Sequence, residues 1–425
     1  MLDLNFVLQN LDEVAKNAAN RNVAIDLSNL RELAETRRAK VTEADELRRR
    51  ANEIANSMKG KMEPAKRQEL IAEGRELKGR IAEAEAATKE TESALNDVLR
   101  IIPNMTHPDS PIGKTEEENR ELRRVGEPRQ FDFTPKDHVE IGQALDIIDF
   151  EKGTKVAGAN FYFLKGDAVL LEMAMVRYAL DVLLSEGFVP HITPDLARPA
   201  ILEGIGFNPR GDETQIYSIA NQDLALIATA EITLGGMLAN EMIDEKELPM
   251  LLGGVSHCFR TEAGAYGRTS RGLYRVHQFT KVEMFAYTTP EQSAAIHDKM
   301  LAVEERLFGD FEVPYRVVDI CTGDLGAPAY RKFDIEAWMP GRGEHGEYGE
   351  VTSTSNCTDY QARRLNIRTK IGGGKPVFVH TLNGTAVAVS RAIIAVLENH
   401  QQADGTVRVP AKLVPYMGKE VIARR

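Results

Sequence analysis

Leu30, Leu33, Arg37, Lys40, Ala44, Leu47, Ala51, Ile54 and Met58 are separated by alternating steps of three and four residues. The same steps recur through Leu70, Gly74, Leu77, Ile81, Ala84, Thr88, Thr91, Leu95, Val98 and Ile102. That spacing is the seam of a coiled coil, so the pattern predicts two long helices, imperfect where polar residues intrude. Gly60 and Pro64 interrupt it in between, which predicts an antiparallel hairpin. At the rise of an α-helix each limb would be roughly 40–50 Å long.

Beyond Ile102 the pattern changes. The run Pro103 to Pro111 is rich in turn residues and reads as a linker. Short β-like runs and helices then alternate: a helix near Asp167 to Ser185, strands at Gly187 to Pro190, near Gln215 to Tyr217, at Leu248 to Gly253 and at Gln278 to Phe285. Helices do not follow every strand, so an antiparallel sheet is expected.

With 425 residues, 43% of them hydrophobic, the chain is long enough for two domains. Cys258, Cys321 and Cys357 are widely spaced, which argues against a zinc site or a disulfide framework and fits a reducing, cytoplasmic setting. The start lacks an export signal, and the apolar helix at Ala168 to Leu184 is broken by Glu172, Arg177 and Asp181, so no membrane association is expected. Between Leu27 and Ile102 there are 16 Lys/Arg against 15 Asp/Glu, so the arm carries +1 and the rest of the chain −12. Arg48, Arg49 and Arg50, with Lys59, Lys61, Lys66 and Arg67 at the tip, could meet a phosphate backbone or simply solvate the coiled coil.

Two stretches carry candidate chemistry. In the first, Phe259-Arg260-Thr261-Glu262 leads through Tyr266-Gly267-Arg268 to Val276 and Phe279-Thr280-Lys281-Val282-Glu283. Period-two alternation puts Arg260 with Glu262, and Phe279 with Lys281 and Glu283, on one face of a hairpin. There an arginine could grip an α-phosphate, a ring could stack on a purine and a carboxylate could hold an amino group. In the second, Asn383-Gly384-Thr385 leads to Arg391 at a helix start, where the helix dipole already favours anions. Gly372-Gly373-Gly374-Lys375-Pro376 is a poor phosphate loop, because Pro376 stands where Ser/Thr is required.

Together with Gly187 to Leu196, these stretches resemble motifs 1, 2 and 3 of class II aminoacyl-tRNA synthetases. Thr229-Ala230-Glu231, Lys281-Val282-Glu283-Met284, Glu350 to Asn356, Gln361 to Arg364 and the N-terminal hairpin resemble the seryl-tRNA synthetase family of bacterial type over nearly the whole chain. The resemblance implies an α+β organisation: a tRNA-binding helical arm over 1–103, a linker over 104–135, and a class II catalytic domain over 136–425 with an antiparallel sheet flanked by helices. It implies ATP-dependent activation of L-serine and its transfer to tRNA(Ser) gripped by the arm, with tRNA(Sec) left open, in a homodimer built on motif 1. Thr229, Ala230, Glu231, Arg260, Glu283, Asn383 and Thr385 would hold serine. Arg260, Thr261, Glu262, Val276, Phe279, Glu350, Val351, Thr352, Ser353 and Arg391 would hold ATP. Glu350 and Ser353 would bind Mg2+, with Arg260, Glu350 and Arg391 acting in catalysis. Two positions depart from the family pattern: Gly349, often larger, and Thr385, often serine. A relative that loads a different carrier would not need the long arm, and a noncatalytic paralogue would have lost Arg260, Glu350 or Arg391.

Overall fold

Two long helices, α1 (Leu27–Ser57) and α2 (Pro64–Ile101), form the antiparallel hairpin in a computed structural model that describes residues 1–60, 62–207, 215–262 and 272–424. Two short helices, Leu4–Gln9 and Leu11–Asn20, precede it. Ala44, Leu47, Ile54, Leu77 and Ala84 are buried along the seam, with Ala51, Met58, Leu70 and Ile81 packed beside them. The polar seam positions are matched across the hairpin: Arg37 pairs with Glu92 at 2.7 Å, and the Lys40 ammonium donates to Thr91 Oγ1 at 2.9 Å. Pro64 opens α2 at the helix start, where its missing N–H costs nothing. Arg48 and Arg50 are exposed but already face Glu85 and Glu73, both at closest approaches below 3 Å. Lys61 lies outside the described residues.

The chain divides into two compact units, Met1–Pro103 and Asn104–Arg425. The second is built on eight strands: β1 (Arg120–Val125), β2 (Val189–Ile192), β3 (Met250–Phe259), β4 (Gln278–Thr288), β5 (Tyr315–Asp319), β6 (Arg331–Met339), β7 (Glu347–Asn356) and β8 (His380–Ala388). Their order in the sheet is β1-β5-β6-β7-β8-β4-β3-β2. Neighbours are antiparallel as expected, except that β2 pairs parallel with β3 at one edge. The stretch 104–135, expected to be a linker, supplies β1, the opposite edge strand. No strand forms over the described residues 215–217, where one was expected; instead Ser218 bridges Ala225 in isolation.

Besides α3 (His138–Ala144), the helices that matter to the site are α4 (Asp167–Ser185), α5 (Pro199–Ile205), α6 (Ala230–Gly236), α7 (Ser293–Asp310), α8 (Tyr360–Leu365) and α9 (Val389–His400). Period-two alternation divides the sheet into two faces. On one, Val282, Met284, Val317, Phe333, Ile335 and Ala386 are buried under α4, α7 and α9. On the other, Leu252, Phe285 and Tyr287 pack against Ile205 of α5, Ile232 and Leu234 of α6 and Leu365 of α8. This smaller layer covers one end of that face, and the remainder forms a cleft.

Candidate active site

The β3–β4 ladder pairs Ser256 with Lys281 and Gly254 with Glu283, so Lys281 and Glu283 point from the same face as Phe279. Gly254 lets α6 come close: a Cβ there would lie 2.8 Å from Leu234 Cδ1 and 3.0 Å from Ala230 Cβ. That approach carries Thr229-Ala230-Glu231, at the start of α6, onto the sheet. Thr229 caps the helix by accepting the Glu231 N–H at 3.2 Å.

Glu231 Oε1 accepts from Asn383 Nδ2 at 3.0 Å and from Gln361 Nε2 at 2.8 Å, and Gln361 in turn accepts from Thr381 Oγ1 at 2.7 Å. Glu283 is ion-paired with Lys281, and Thr385 Oγ1 donates to it at 3.4 Å. Both carboxylates are buried. Burial first, and then the neighbouring Glu283, push the Glu231 acid up to about 7, with Gln361, Lys281 and Arg260 opposing. The Glu283 acid is also raised by burial against the pull of Lys281. The result is a small buried cluster of polar side chains with two carboxylates at its centre.

Beside this cluster, Arg260, Glu262, Val276, Phe279, Glu350, Val351, Thr352, Thr385 and Arg391 line one cleft. The Arg260 guanidinium stands 5.3 Å from the Phe279 ring centroid. Glu262, in left-handed backbone (φ 51°), is held by Arg275 at 3.3 Å, and Thr261 N–H donates to the Gln215 carbonyl at 3.1 Å. Ala263, Gly264, Tyr266, Gly267 and Arg268, expected in a loop of motif 2, lie outside the described residues.

A bulge in β7 shapes the other wall. Ile335 pairs with Thr352 but Glu336 pairs with Glu350, leaving Val351 as the extra residue. Alternation alone would set Glu350 and Ser353 on opposite faces; the bulge puts both on the cleft face. Thr352 turns the other way and donates to Glu304 at 2.9 Å, so its hydroxyl is not available to the cleft. Glu350 meets Arg391 at 3.3 Å. Burial would raise its pKa, but Arg391, then Lys332 and Arg260, outweigh burial and hold it down at about 2. The carboxylate is therefore anionic and its side chain is 43% exposed toward the cleft. An ionised carboxylate with a hydroxyl on the same face is an oxygen donor set that suits a hard divalent cation. No cluster of three or more His, Cys, Asp or Glu side chains could hold a metal among the described residues, so substrate oxygens and water would complete such an ion's shell.

Several residues in this arrangement carried no expected role: Gln361 behind Glu231, Lys281 beside Glu283, Arg275 on Glu262, and Tyr274, which lines the cleft. At Gly349 a Cβ would lie 2.7 Å from Arg342 Nη1, the end of a flexible side chain, and 3.2 Å from Met339 Sδ. Gly372 is remote in role as well, its N–H donating to Glu245 at 2.6 Å.

Residues 1–106 match the seryl-tRNA synthetase N-terminal domain, and residues 216–400 match the class II core domain of the synthetases for G, H, P, S and T. The serine--tRNA ligase of Rubrobacter xylanophilus is 58% identical over all of both chains. The chain belongs to the seryl-tRNA synthetase family. The serine--tRNA ligase of Treponema denticola is 55% identical over 98% of this chain and 99% of its own. A crystal structure of seryl-tRNA synthetase from Pyrococcus horikoshii complexed with ATP superposes with a TM-score of 0.90 at 42% identity, covering all of both chains. Family membership thus extends over the arm and the catalytic unit alike.

Proposed function

We propose that this chain activates L-serine with ATP and transfers it to tRNA(Ser), with tRNA(Sec) the second candidate acceptor to be assayed in parallel. The observation that carries the reading is the junction of two sites: the Glu231–Glu283–Asn383–Thr385 cluster adjoins the cleft of Arg260, Phe279, Glu350 and Arg391, with Thr385 common to both. In the first step a serine carboxylate oxygen bonds to the α-phosphorus while the bond to the β-phosphate oxygen breaks, giving seryl-adenylate and pyrophosphate. The carboxylate is already ionised, so no general base is needed; alignment and charge set the barrier.

Thr229 and Glu231, with Glu283 opposite and Asn383 and Thr385 closing the pocket, hold the serine amino and hydroxyl groups. Arg260 spans the serine carboxylate and α-phosphate, Phe279 stacks on adenine and Glu262 accepts from its exocyclic amine. Thr261, Val276, Val351 and Thr352 complete the nucleotide wall, the last through its main chain, and Arg391 takes the terminal phosphate. Glu350 and Ser353 would hold Mg2+, which when bound offsets phosphate charge. Alanine would leave buried acceptors unpaired, which gives discrimination through hydrogen bonding. In the second step a hydroxyl of the terminal tRNA adenosine attacks the seryl carbonyl and AMP departs.

The arm supplies the tRNA contact; its exposed arginine pairs are weak enough to exchange carboxylates for phosphates. The setting is cytoplasmic. A second copy of the chain would pack on the edge formed by α4 and β2, where Met173, Leu184, Val189 and Ile192 are all more than half exposed. Removing Leu30 to Ile102 separates the two half-reactions. Serine-dependent pyrophosphate exchange should persist and tRNA charging should collapse; equal loss of both, in a variant whose remaining unit still unfolds cooperatively, would contradict the assignment of the arm.

A further inference from the structure

His138 is buried at the start of α3. Its Nδ1 is 2.8 Å from Glu398 Oε1, and its main-chain N–H donates to the same oxygen at 3.0 Å. On the other side of the ring, Nε2 accepts the Leu273 N–H at 3.1 Å. A ring nitrogen that accepts from an amide carries no proton, so the imidazole is neutral with its hydrogen on Nδ1, directed at the carboxylate. Glu398 Oε2 accepts from Gly341 N–H at 2.9 Å. One buried carboxylate, two turns along α9 from Arg391, therefore ties α3 to the β6–β7 turn and, through the imidazole, to Leu273. Gly272 (φ 83°) must lack a side chain here, because a Cβ would lie 2.1 Å from His138 Nε2.

The chain leaves this anchor directly into the cleft. Tyr274, the next residue, donates its hydroxyl to the Glu350 carbonyl at 3.2 Å, and Arg391 Nη1 donates to the same oxygen at 2.9 Å. The guanidinium carbon of Arg391 lies 4.5 Å from the Tyr274 ring centroid, as does that of Arg342. A cavity of about 290 Å³ runs along the network, lined by His138, Tyr274, Arg342 and Glu398 among others. Tyr274 is only partly buried against the main core, and with that space beside it its hydrogen bonds share with packing in fixing its position.

We infer that His138 is a positioning residue for the phosphate-binding arginine: by holding the Leu273 amide it fixes Tyr274, and Tyr274 fixes the Arg391 guanidinium against Glu350. The inference rests on the proposed reaction for its kinetic readout. Two conservative variants of the full-length protein divide the two hydrogen bonds of the ring. His138→Gln keeps an acceptor at the depth of Nε2, whereas His138→Asn keeps a donor at the depth of Nδ1 and loses the reach to Leu273.

In pyrophosphate exchange, His138→Asn should raise KM for ATP at least about tenfold and lower kcat, with KM for serine within about twofold, whereas His138→Gln should stay within about threefold of wild type. Hydrogen exchange of the ligand-free proteins should show the Leu273–Tyr274 amides deprotected in the Asn variant and protected in the Gln variant. Equal behaviour of the two variants, or a parallel rise in both KM values, would overturn the inference. Should the Asn variant not fold, Tyr274→Phe must raise KM for ATP alone, and an unchanged KM would overturn it equally. If wild type shows no serine-dependent exchange, the functional reading fails, while the amide protection still decides whether His138 is the anchor.

Discussion

Two acids of the same type, Glu231 and Glu350, are driven in opposite directions. Glu231 is raised to about 7 by burial and by Glu283, while Glu350 is held at about 2 by Arg391, Lys332 and Arg260 in spite of burial. The division matches the work proposed for each: Glu350 must stay anionic for a cation, whereas Glu231 waits for the substrate ammonium to complete its charge. An acid raised to about 7 is protonated below that pH and ionised above it, so kcat/KM for serine should rise with pH through about 7. In stability terms the sign is opposite: the raised acid favours the folded state at low pH, and that contribution is lost as pH rises toward 7. Glu231→Gln should lower kcat/KM for serine roughly ten- to a hundredfold, the worth of a hydrogen bond to a charged group, and remove the rise near neutrality. A wild-type profile flat from pH 6 to 8 would contradict the role of Glu231.

At the scale of elements, β7 and β8 are held from beneath by α7. Glu304 of α7 is fully buried in the helix-covered face, accepts from Thr352 through Oε2, and approaches Gly384 so closely that a Cβ there would lie 3.0 Å from Oε1. Burial raises its acid well above the ordinary carboxylate range. The folded state therefore favours the protonated form, and stability from this group falls as pH rises above its unfolded value. Glu304→Gln keeps the acceptor for Thr352 and stays neutral, so its stability advantage over wild type should widen from pH 5 to pH 8, at a slope of up to about 1.4 kcal/mol per pH unit. Urea denaturation at both pH values measures this, and a gap that does not change with pH would refute it.

Sequence made some of these elements legible and hid others for identifiable reasons. The heptad steps from Leu30 to Ile102 reveal α1 and α2 because a coiled-coil seam is local, and alternation from Phe279 to Glu283 reveals a strand face for the same reason. The Val351 bulge, the edge strand β1, and the Glu398–His138–Leu273 chain depend on partners more than a hundred residues away in sequence or on one shifted ladder pair, which no local period encodes. Over 215–217 the main chain makes single hydrogen bonds to Thr261 and Leu226 instead of a continuous ladder, which no local period reveals.

For the whole molecule, the acidic body and the nearly neutral arm divide the chemistry from the proposed grip on RNA, and a second copy is expected at the α4–β2 edge. Ile192 is 92% exposed on β2, the edge strand of the sheet. Ile192→Asp should shift the light-scattering mass from dimer toward monomer at micromolar concentration, and a wild-type mass of one chain would contradict the dimer proposal. The central claim is that distant segments assemble a nucleotide cleft beside a pocket shaped for one small polar amino acid. Amino-acid-dependent ATP–pyrophosphate exchange across all twenty amino acids tests it most directly: serine should support exchange and alanine, glycine and threonine should not, whereas exchange with another amino acid, or none with serine, would contradict the account.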